Sequence, residues 1–225
     1  MTAFFVTATG TDIGKTFTTA GLIRALWRAD RTVDAAKPVI SGFTMAGLDA
    51  SDTGVLLSAL GRALNQDEAE RISPWRFSTP LSPDMAAEAE GKVVDFAALL
   101  ADSRARIAAA EDILLIEGVG GIMVPLDATH TVLDWMEALG LPVLLVAGSY
   151  LGTISHTLSA LDVLTRRGLR VAALVISETP GSTVGLDQTF ATLRRFIPAE
   201  TEILALPRLA AGQDHPVFDR LAALV

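Results

Sequence analysis

The chain has 225 residues, half of them hydrophobic and 20% charged, which excludes a disordered polymer and suits a single domain spanning residues 1–225. Eighteen basic residues against 26 acidic ones give a net charge of −8, so neither nucleic acid nor an anionic membrane is expected as a partner. With no cysteine present, disulfides, thiolate metal sites and a cysteine nucleophile are ruled out.

The opening MTAFFVTATG lacks the basic flank and long apolar run of a signal peptide, and no apolar stretch reaches the length of a membrane helix; a cytoplasmic location is expected. Phe4–Thr7 predicts a strand and Lys15–Arg28 a helix. A strand at Thr32–Ala36 follows, then an irregular, small-residue stretch at Ser41–Ser51 and a helix at Thr53–Leu60. The segment around Pro74, Pro80 and Pro83 reads, like Ser41–Ser51, as a long functional loop. Beyond it, a helix is predicted at Val94–Ala109, a strand at Ile113–Ile116 and another at Val143–Val146. The remaining pattern is a helix from about Ser155 to Arg167, a strand at Val171–Ile176, a helix at Leu186–Phe196 and a strand at Ile203–Leu206. Continuous apolar strands alternating with helices predict an α/β domain, a doubly wound and mainly parallel sheet with helices on both faces. Ligands of such sheets bind at the carboxyl ends of the strands.

The first of those ends carries the most specific signal. FFVTATGTDIGKT is a strand, a loop of small residues, then Gly14-Lys15-Thr16 opening a helix. Backbone amides and the positive helix end would surround phosphate oxygens there, Lys15 would neutralise the β and γ groups, and the Thr16 hydroxyl can ligate magnesium. It is a variant of the strict phosphate-loop pattern, because Thr9 stands where the first glycine belongs. Lysine is scarce: Lys15, Lys37 and Lys92 are the only three among eighteen basic residues. Lys37 precedes Pro38 at the next strand end, where extended geometry aims its ammonium at the ligand edge. Asp52, after Ser51, reads most simply as a helix N-cap. Glu117 follows the central strand and precedes Gly118-Val119-Gly120-Gly121, placing a carboxylate at the crevice; with Thr16 it can hold magnesium. The start of the helix near Ser155 is either a binding site for a carboxylate or simply a capped helix, and His156 reads as structural. Ser177, Glu178 and Pro207 follow later strands as candidate walls of a nucleobase pocket.

The ordered set TATGTDIGKT, KPVISG, Ser51-Asp52, STPLSPDMAAEAEG, LIEGVGGIMVPL and LGTISH resembles the dethiobiotin synthetases over nearly the whole length. The resemblance implies a phosphate-loop fold and an ATP- and magnesium-dependent cyclo-ligase that joins carbon dioxide to 7,8-diaminopelargonic acid. It implies Lys37, Lys15 and Thr11 as catalytic residues, and Thr16, Asp52 and Glu117 as magnesium ligands. Nucleotide contacts would come from Asp12, Ile13, Gly14, Lys15, Thr16, Phe17, Gly118, Val119 and Gly120, with Ser177, Glu178, Leu206, Pro207 and Arg208 on the adenine side. Ser41 and Thr11 would meet the diamine or its carbamate, and the Gly152, Thr153, Ile154 and Ser155 amides its carboxylate, donated from a neighbouring subunit; a homodimer is therefore implied. Five positions depart from the family pattern, among them Asp12 and Gly10, which stand where other members often have Glu and Asp; Asp12 still offers an acidic group, with shorter reach. Ala8 stands where a loop glycine is usual, which would matter if the backbone there needs a positive φ. Ser177 and Ser155 stand where asparagine is common. The competing expectation is a ParA/MinD-like switch ATPase, which shares the fold, but such proteins tend toward basic or amphipathic surfaces and this chain is acidic.

Overall fold

The first strand, β1 (Thr2–Ala8), divides its side chains between two cores: Phe4, Val6 and Ala8 enter one, Ala3 and Phe5 the other. A strand buried on both faces explains why the sequence run is continuous rather than alternating. The computed structural model describes residues 2–225. After β1 come α1 (Lys15–Arg28), β2 (Val33–Ala36), β3 (Val39–Ile40), a short 3-10 helix (Met45–Ala50), α2 (Asp52–Ala59), α3 (Gln66–Ile72) and β4 (Trp75–Arg76). The chain continues through α4 (Pro83–Ala89), α5 (Phe96–Ala109), β5 (Ile113–Glu117), α6 (Val132–Leu139) and β6 (Val143–Gly148). It closes with α7 (Thr153–Arg166), β7 (Val171–Ser177), α8 (Leu186–Arg194), β8 (Glu202–Leu206) and α9 (Pro216–Ala222).

Six strands form one sheet in the order β2-β5-β1-β6-β7-β8, and every pairing in it is parallel. These are the six strands expected from the sequence. One face of the sheet carries α1, α2, α3 and α9, through residues such as Leu22, Leu56, Ile72 and Phe218. The other carries α4 to α8, through Ala86, Leu99, Trp135, Leu164 and Leu193. Between β1 and α6 the Phe5 and Trp135 rings meet edge to face at 4.8 Å, and Trp135 Nε1 donates to Ser103 Oγ.

Several expectations need correction. The prolines at 80 and 83 do not mark one long loop, because Pro83 is the first residue of α4 and Ser82 its N-cap. Proline is compatible with that position, where its missing N–H costs nothing. The Ser41–Ser51 stretch contains the 3-10 helix, and β3 pairs with β4 in a small parallel ribbon beside the main sheet. Helix α7 begins at Thr153, ahead of the expected Ser155. Ala8 is an ordinary strand residue, and the positive φ values of the loop belong to Asp12 (56°) and Gly14 (98°), so alanine meets no conformational penalty. Among the described residues, no helix is long and apolar enough to cross a membrane.

Candidate active site

Parallel pairing puts the carboxyl ends of β2, β5 and β1 side by side, and register does the rest. Ala36 pairs with Ile116, so Lys37 and Glu117, one residue further on, emerge opposite each other. Glu117 itself pairs with Val6 of β1, whose chain runs on into the phosphate loop. The loop after β5 passes against that loop at Gly121, where a Cβ would lie 3.3 Å from the Gly10 nitrogen. At Gly14 the left-handed backbone and the Ser177 hydroxyl, 2.6 Å from where a Cβ would be, both demand glycine. Position 177 therefore backs directly onto the phosphate loop.

A cavity of about 340 Å³ opens at this junction, lined by Thr11, Asp12, Gly14, Lys15, Thr16, Phe17, Lys37, Ile40, Ser41, Asp52, Val119 and Gly120. Beneath it lies a charged cluster. The Lys37 ammonium is 2.8 Å from Glu117 Oε1 and 2.8 Å from Asp52 Oδ2, and donates to the Gly118 carbonyl at 3.2 Å. Lys37 is 2% exposed and Glu117 not at all. Thr16 Oγ1 donates to Glu117 Oε1 at 2.6 Å, and Thr19 Oγ1 lies 2.6 Å from Oε2. Asp52 is free for this pairing because Ser51, not Asp52, caps α2, accepting from the Gly54 amide.

The two lysines respond in opposite directions. Burial works against the Lys37 charge, but Glu117 and Asp52 outweigh it and hold its pKa above the ordinary lysine value. Burial and the nearby Lys37 charge push Lys15 down to about 8, while its ammonium donates only to the Gly10 carbonyl at 3.3 Å. Partial burial opposes ionisation of Asp52, yet Lys37 and the Thr16 hydroxyl keep its pKa below the usual carboxylate value. The third lysine is unrelated: Lys92 is exposed and pairs with Glu90.

The donor set fits magnesium. Two carboxylates and a threonine hydroxyl are hard oxygen donors, and they already converge around a cation, the Lys37 ammonium. No group of three or more histidine, aspartate and glutamate side chains forms a metal cage among the described residues. Magnesium does not need one, since it retains waters and phosphate oxygens in its shell.

Two further cavities adjoin the first and share Thr11 with it. One, of about 370 Å³, lies between Ser41, Gly120, Val124 and the segment Pro80–Pro83. The other, of about 500 Å³, runs between Thr9–Thr11, Gly121–Pro125 and one face of α7 at His156, Ser159, Ala160 and Val163. The sequence-derived set is thus only partly assembled. Ile13 and Gly118 stand beside the phosphate cavity in the chain without lining it. Gly152, Thr153, Ile154 and Ser155 form an α7 start that has no side-chain cap, but the Thr153 amide is already taken by the Tyr150 carbonyl and its hydroxyl by Gly148. Ser177, Glu178, Leu206, Pro207 and Arg208 lie together at the ends of β7 and β8, where Glu178 accepts from the Arg208 amide at 2.7 Å. Sequence reasoning left Thr19 and Ile40 out of the site, and it read the Pro80–Pro83 wall only as part of a long functional loop; Thr19 lies one helical turn beyond Lys15 and Thr16, but nothing in the sequence marks its hydroxyl as facing a carboxylate.

A parallel sheet with a lysine-bearing phosphate loop and a facing carboxylate on the neighbouring strand defines a P-loop nucleotide-binding protein, and a family model described as an AAA domain matches residues 2–211. The ATP-dependent dethiobiotin synthetase BioD of Acidiphilium cryptum (strain JF-5) is 51% identical over 201 residues, 88% of this chain and 90% of that protein; the protein of the same name in Caulobacter sp. (strain K31) is 47% identical over 226 residues, 100% of this chain and 96% of that protein. The chain belongs to the ATP-dependent dethiobiotin synthetases, cyclo-ligases of biotin biosynthesis that use ATP as a co-substrate. Among solved structures, the MinC:MinD cell division protein complex of Aquifex aeolicus is similar with a TM-score of 0.54 at 13% identity, covering 98% of this chain and 86% of that one. The cell division ATPase MinD of Pyrococcus furiosus gives 0.50 at 17%, covering 88% and 81%. Identities this low establish a shared fold alone, and the switch-ATPase expectation gives way to the synthetase relatives.

Proposed function

We propose that the protein carboxylates 7,8-diaminopelargonic acid with carbon dioxide and closes the ring to dethiobiotin, releasing ADP and phosphate, as one domain per chain acting in the cytoplasm. The observation that carries this reading is the buried Lys37 ammonium, held 2.8 Å from two carboxylates at the mouth of a phosphate loop. A loop that only bound nucleotide would have no use for a second buried lysine beside Lys15.

In this mechanism one substrate amine adds to carbon dioxide and loses a proton, giving a carbamate anion. A carbamate oxygen attacks the γ-phosphorus of ATP, and the bond to the β-phosphate oxygen breaks with release of ADP. The second amine then attacks the carbon of the mixed carbamic-phosphoric anhydride and loses a proton, the bond from that carbon to the phosphate oxygen breaks, and phosphate leaves as the urea ring closes. Two anions must meet for the transfer, so preorganised positive charge is the main requirement. Lys15 bridges the phosphates and carbamate, Lys37 stabilises the transferring phosphoryl group, and Thr11 and Ser41 orient the carbamate where the cavities join. Thr16, Asp52 and Glu117 would hold magnesium, which supplies charge neutralisation to the β- and γ-phosphates when bound. The residues at the ends of β7 and β8 receive adenine.

We further infer a homodimer in which the uncapped start of α7 of one protomer receives the substrate carboxylate at the site of the other. The test is ATP consumption by the purified protein with and without the diamine and bicarbonate, with the product identified by mass. Turnover that requires both additions and yields dethiobiotin supports the reading; ATP hydrolysis indifferent to both would refute it.

A further inference from the structure

Glu117 is the most enclosed charged group of the site, and the two oxygens of its carboxylate have different partners. Oε1 receives Thr16 Oγ1 at 2.6 Å and Lys37 Nζ at 2.8 Å. Oε2 is met by Thr19 Oγ1, also at 2.6 Å. Thr19 is fully buried and does not line the phosphate cavity, so it cannot touch nucleotide or substrate. Its hydroxyl carries a single proton with two acceptors in reach, the Lys15 carbonyl at 3.0 Å and the Glu117 carboxylate at 2.6 Å. The nearer, charged acceptor forms the stronger bond.

The asymmetry has a purpose once a cation is considered. Thr16 and Lys37 both contact Oε1, the oxygen shared with the proposed ligand cluster, and both must change partners if a divalent ion and phosphates arrive. Backbone pairing fixes the Glu117 Cα, but three side-chain torsions remain, and the Oε2 contact is the one that need not be surrendered. From this we infer that Thr19 is a positioning residue: its hydroxyl anchors Oε2 so that Oε1 stays aimed at Thr16 and Asp52 while the partners of Oε1 exchange. Thr16 and Thr19 lie three residues apart on α1, so the first turns of one helix grip both oxygens of one carboxylate.

The proposal rests on the reading of Glu117 as a metal ligand, and a binding experiment separates the two. Binding of Mn²⁺ in the presence of ADP is followed by the electron paramagnetic resonance of free Mn²⁺, alongside ADP affinity without metal. Thr19→Val, which keeps the shape and removes the donor, is expected to weaken Mn²⁺ binding about tenfold, with Thr19→Ser and metal-free ADP affinity both within about twofold of the parent. If Thr19→Val will not fold, Thr19→Cys, whose thiol is a weak donor, takes its place with the same expected loss. Parental Mn²⁺ binding by the valine variant, or an equal loss in the serine variant, overturns the positioning role. Glu117→Gln is measured in parallel: if it also leaves Mn²⁺ binding unchanged, the ligand reading fails and the Thr19 role with it. If Glu117→Gln weakens binding and Thr19→Val does not, only the Thr19 role is lost.

Discussion

Lys37 has to serve two states of the protein. In the structure it neutralises Glu117 and Asp52, whereas in the proposed reaction it acts on the phosphoryl group in flight. Lys37→Gln is therefore expected to lower kcat by about a hundredfold or more while ATP still binds, because the lost charge acts at the transition state. An unchanged kcat in a folded variant sinks that role, and circular dichroism guards against trivial unfolding from a carboxylate left without its counter-charge. Lys15 yields a pH prediction. Its pKa is pushed down to about 8, so between about 8 and the ordinary 10.5 the folded chain has shed a proton that the unfolded chain retains. This group therefore adds stability as pH rises through that window, and withholds it below. Phosphates reverse the shift, so ATP binding should take up protons at about pH 9 and far fewer from this group at pH 7. Calorimetry in two buffers of different ionisation heat measures this; identical heats at the higher pH would contradict it. Lys37 and Glu117 were legible in the sequence because each follows a strand and precedes a proline or glycine, and Lys15 because it follows Gly14 at the opening of a helix, in a chain with almost no other lysine. Thr19 was not, because inside a helix a threonine carries no sign of whether its hydroxyl points at a carboxylate or at its own backbone.

At the scale of elements, the six sheet strands and helices α1, α2, α5, α7 and α8 could be read from apolar patterning, and α3, α4, α6 and α9 could not. Helices α3, α4 and α9 have seven residues each, barely two turns in which a helical period can declare itself, and α6 has eight. Pro83 and Pro216, which sit at the first turns of α4 and α9, look like loop residues when only the sequence is in view. Helix α6 did carry a signal, the capping box between Thr131 and Asp134. The segment following β4 matters most for function, because it walls the cavity beside Ser41. It is tied down by Glu90, which accepts from the Ser78 amide at 2.5 Å, from the Ser78 hydroxyl at 2.9 Å and from Lys92 at 2.7 Å. Lys92 and Ser78 hold the Glu90 pKa down at about 2. The tether is thus present above the unfolded value of 4.5 and is lost as pH falls through about 2, so it is intact at neutral pH. Glu90→Ala is expected to speed hydrogen exchange of residues 78–82 and raise KM for the diamine several-fold, with ATP binding unaltered. Unchanged exchange in that segment would show that Glu90 does not hold it.

For the whole molecule, the net charge of −8 says little about ligands, since the buried cluster sets its own electrostatics with two lysines that the surface does not use. The proposed dimer makes a stronger claim, that neither chain has a complete site. Mixing two defective variants tests it. Lys37→Gln disables the chemistry and Ser155→Asp places a negative charge where the substrate carboxylate is expected to bind. Randomly reassociated dimers should regain about a quarter of parental activity, from the one site per mixed dimer that receives both intact halves. No recovery on mixing, with mixed dimers demonstrated by mass, would mean that each chain supplies its own α7. The sequence could suggest this arrangement only through family resemblance, because one chain's pattern carries no trace of which contacts come from another.

The strand order gives this machinery an unusual mechanical footing. Lys37, Glu117 and the phosphate loop all leave from strands bonded directly to one another, β2, β5 and β1, with β1 itself flanked by β6. The Gly118 amide, which donates to the Val6 carbonyl between β5 and β1, is released only when those interior strands separate, whereas Lys37 leaves from β2 at the edge of the sheet and its amide is held by the Ile72 carbonyl. Loss of the Glu117 contacts to α1 on heating should therefore coincide with global unfolding, whereas the Pro80–Pro83 wall and the start of α7, which lie at the first turns of helices, can fray earlier and weaken substrate binding while the charged cluster persists.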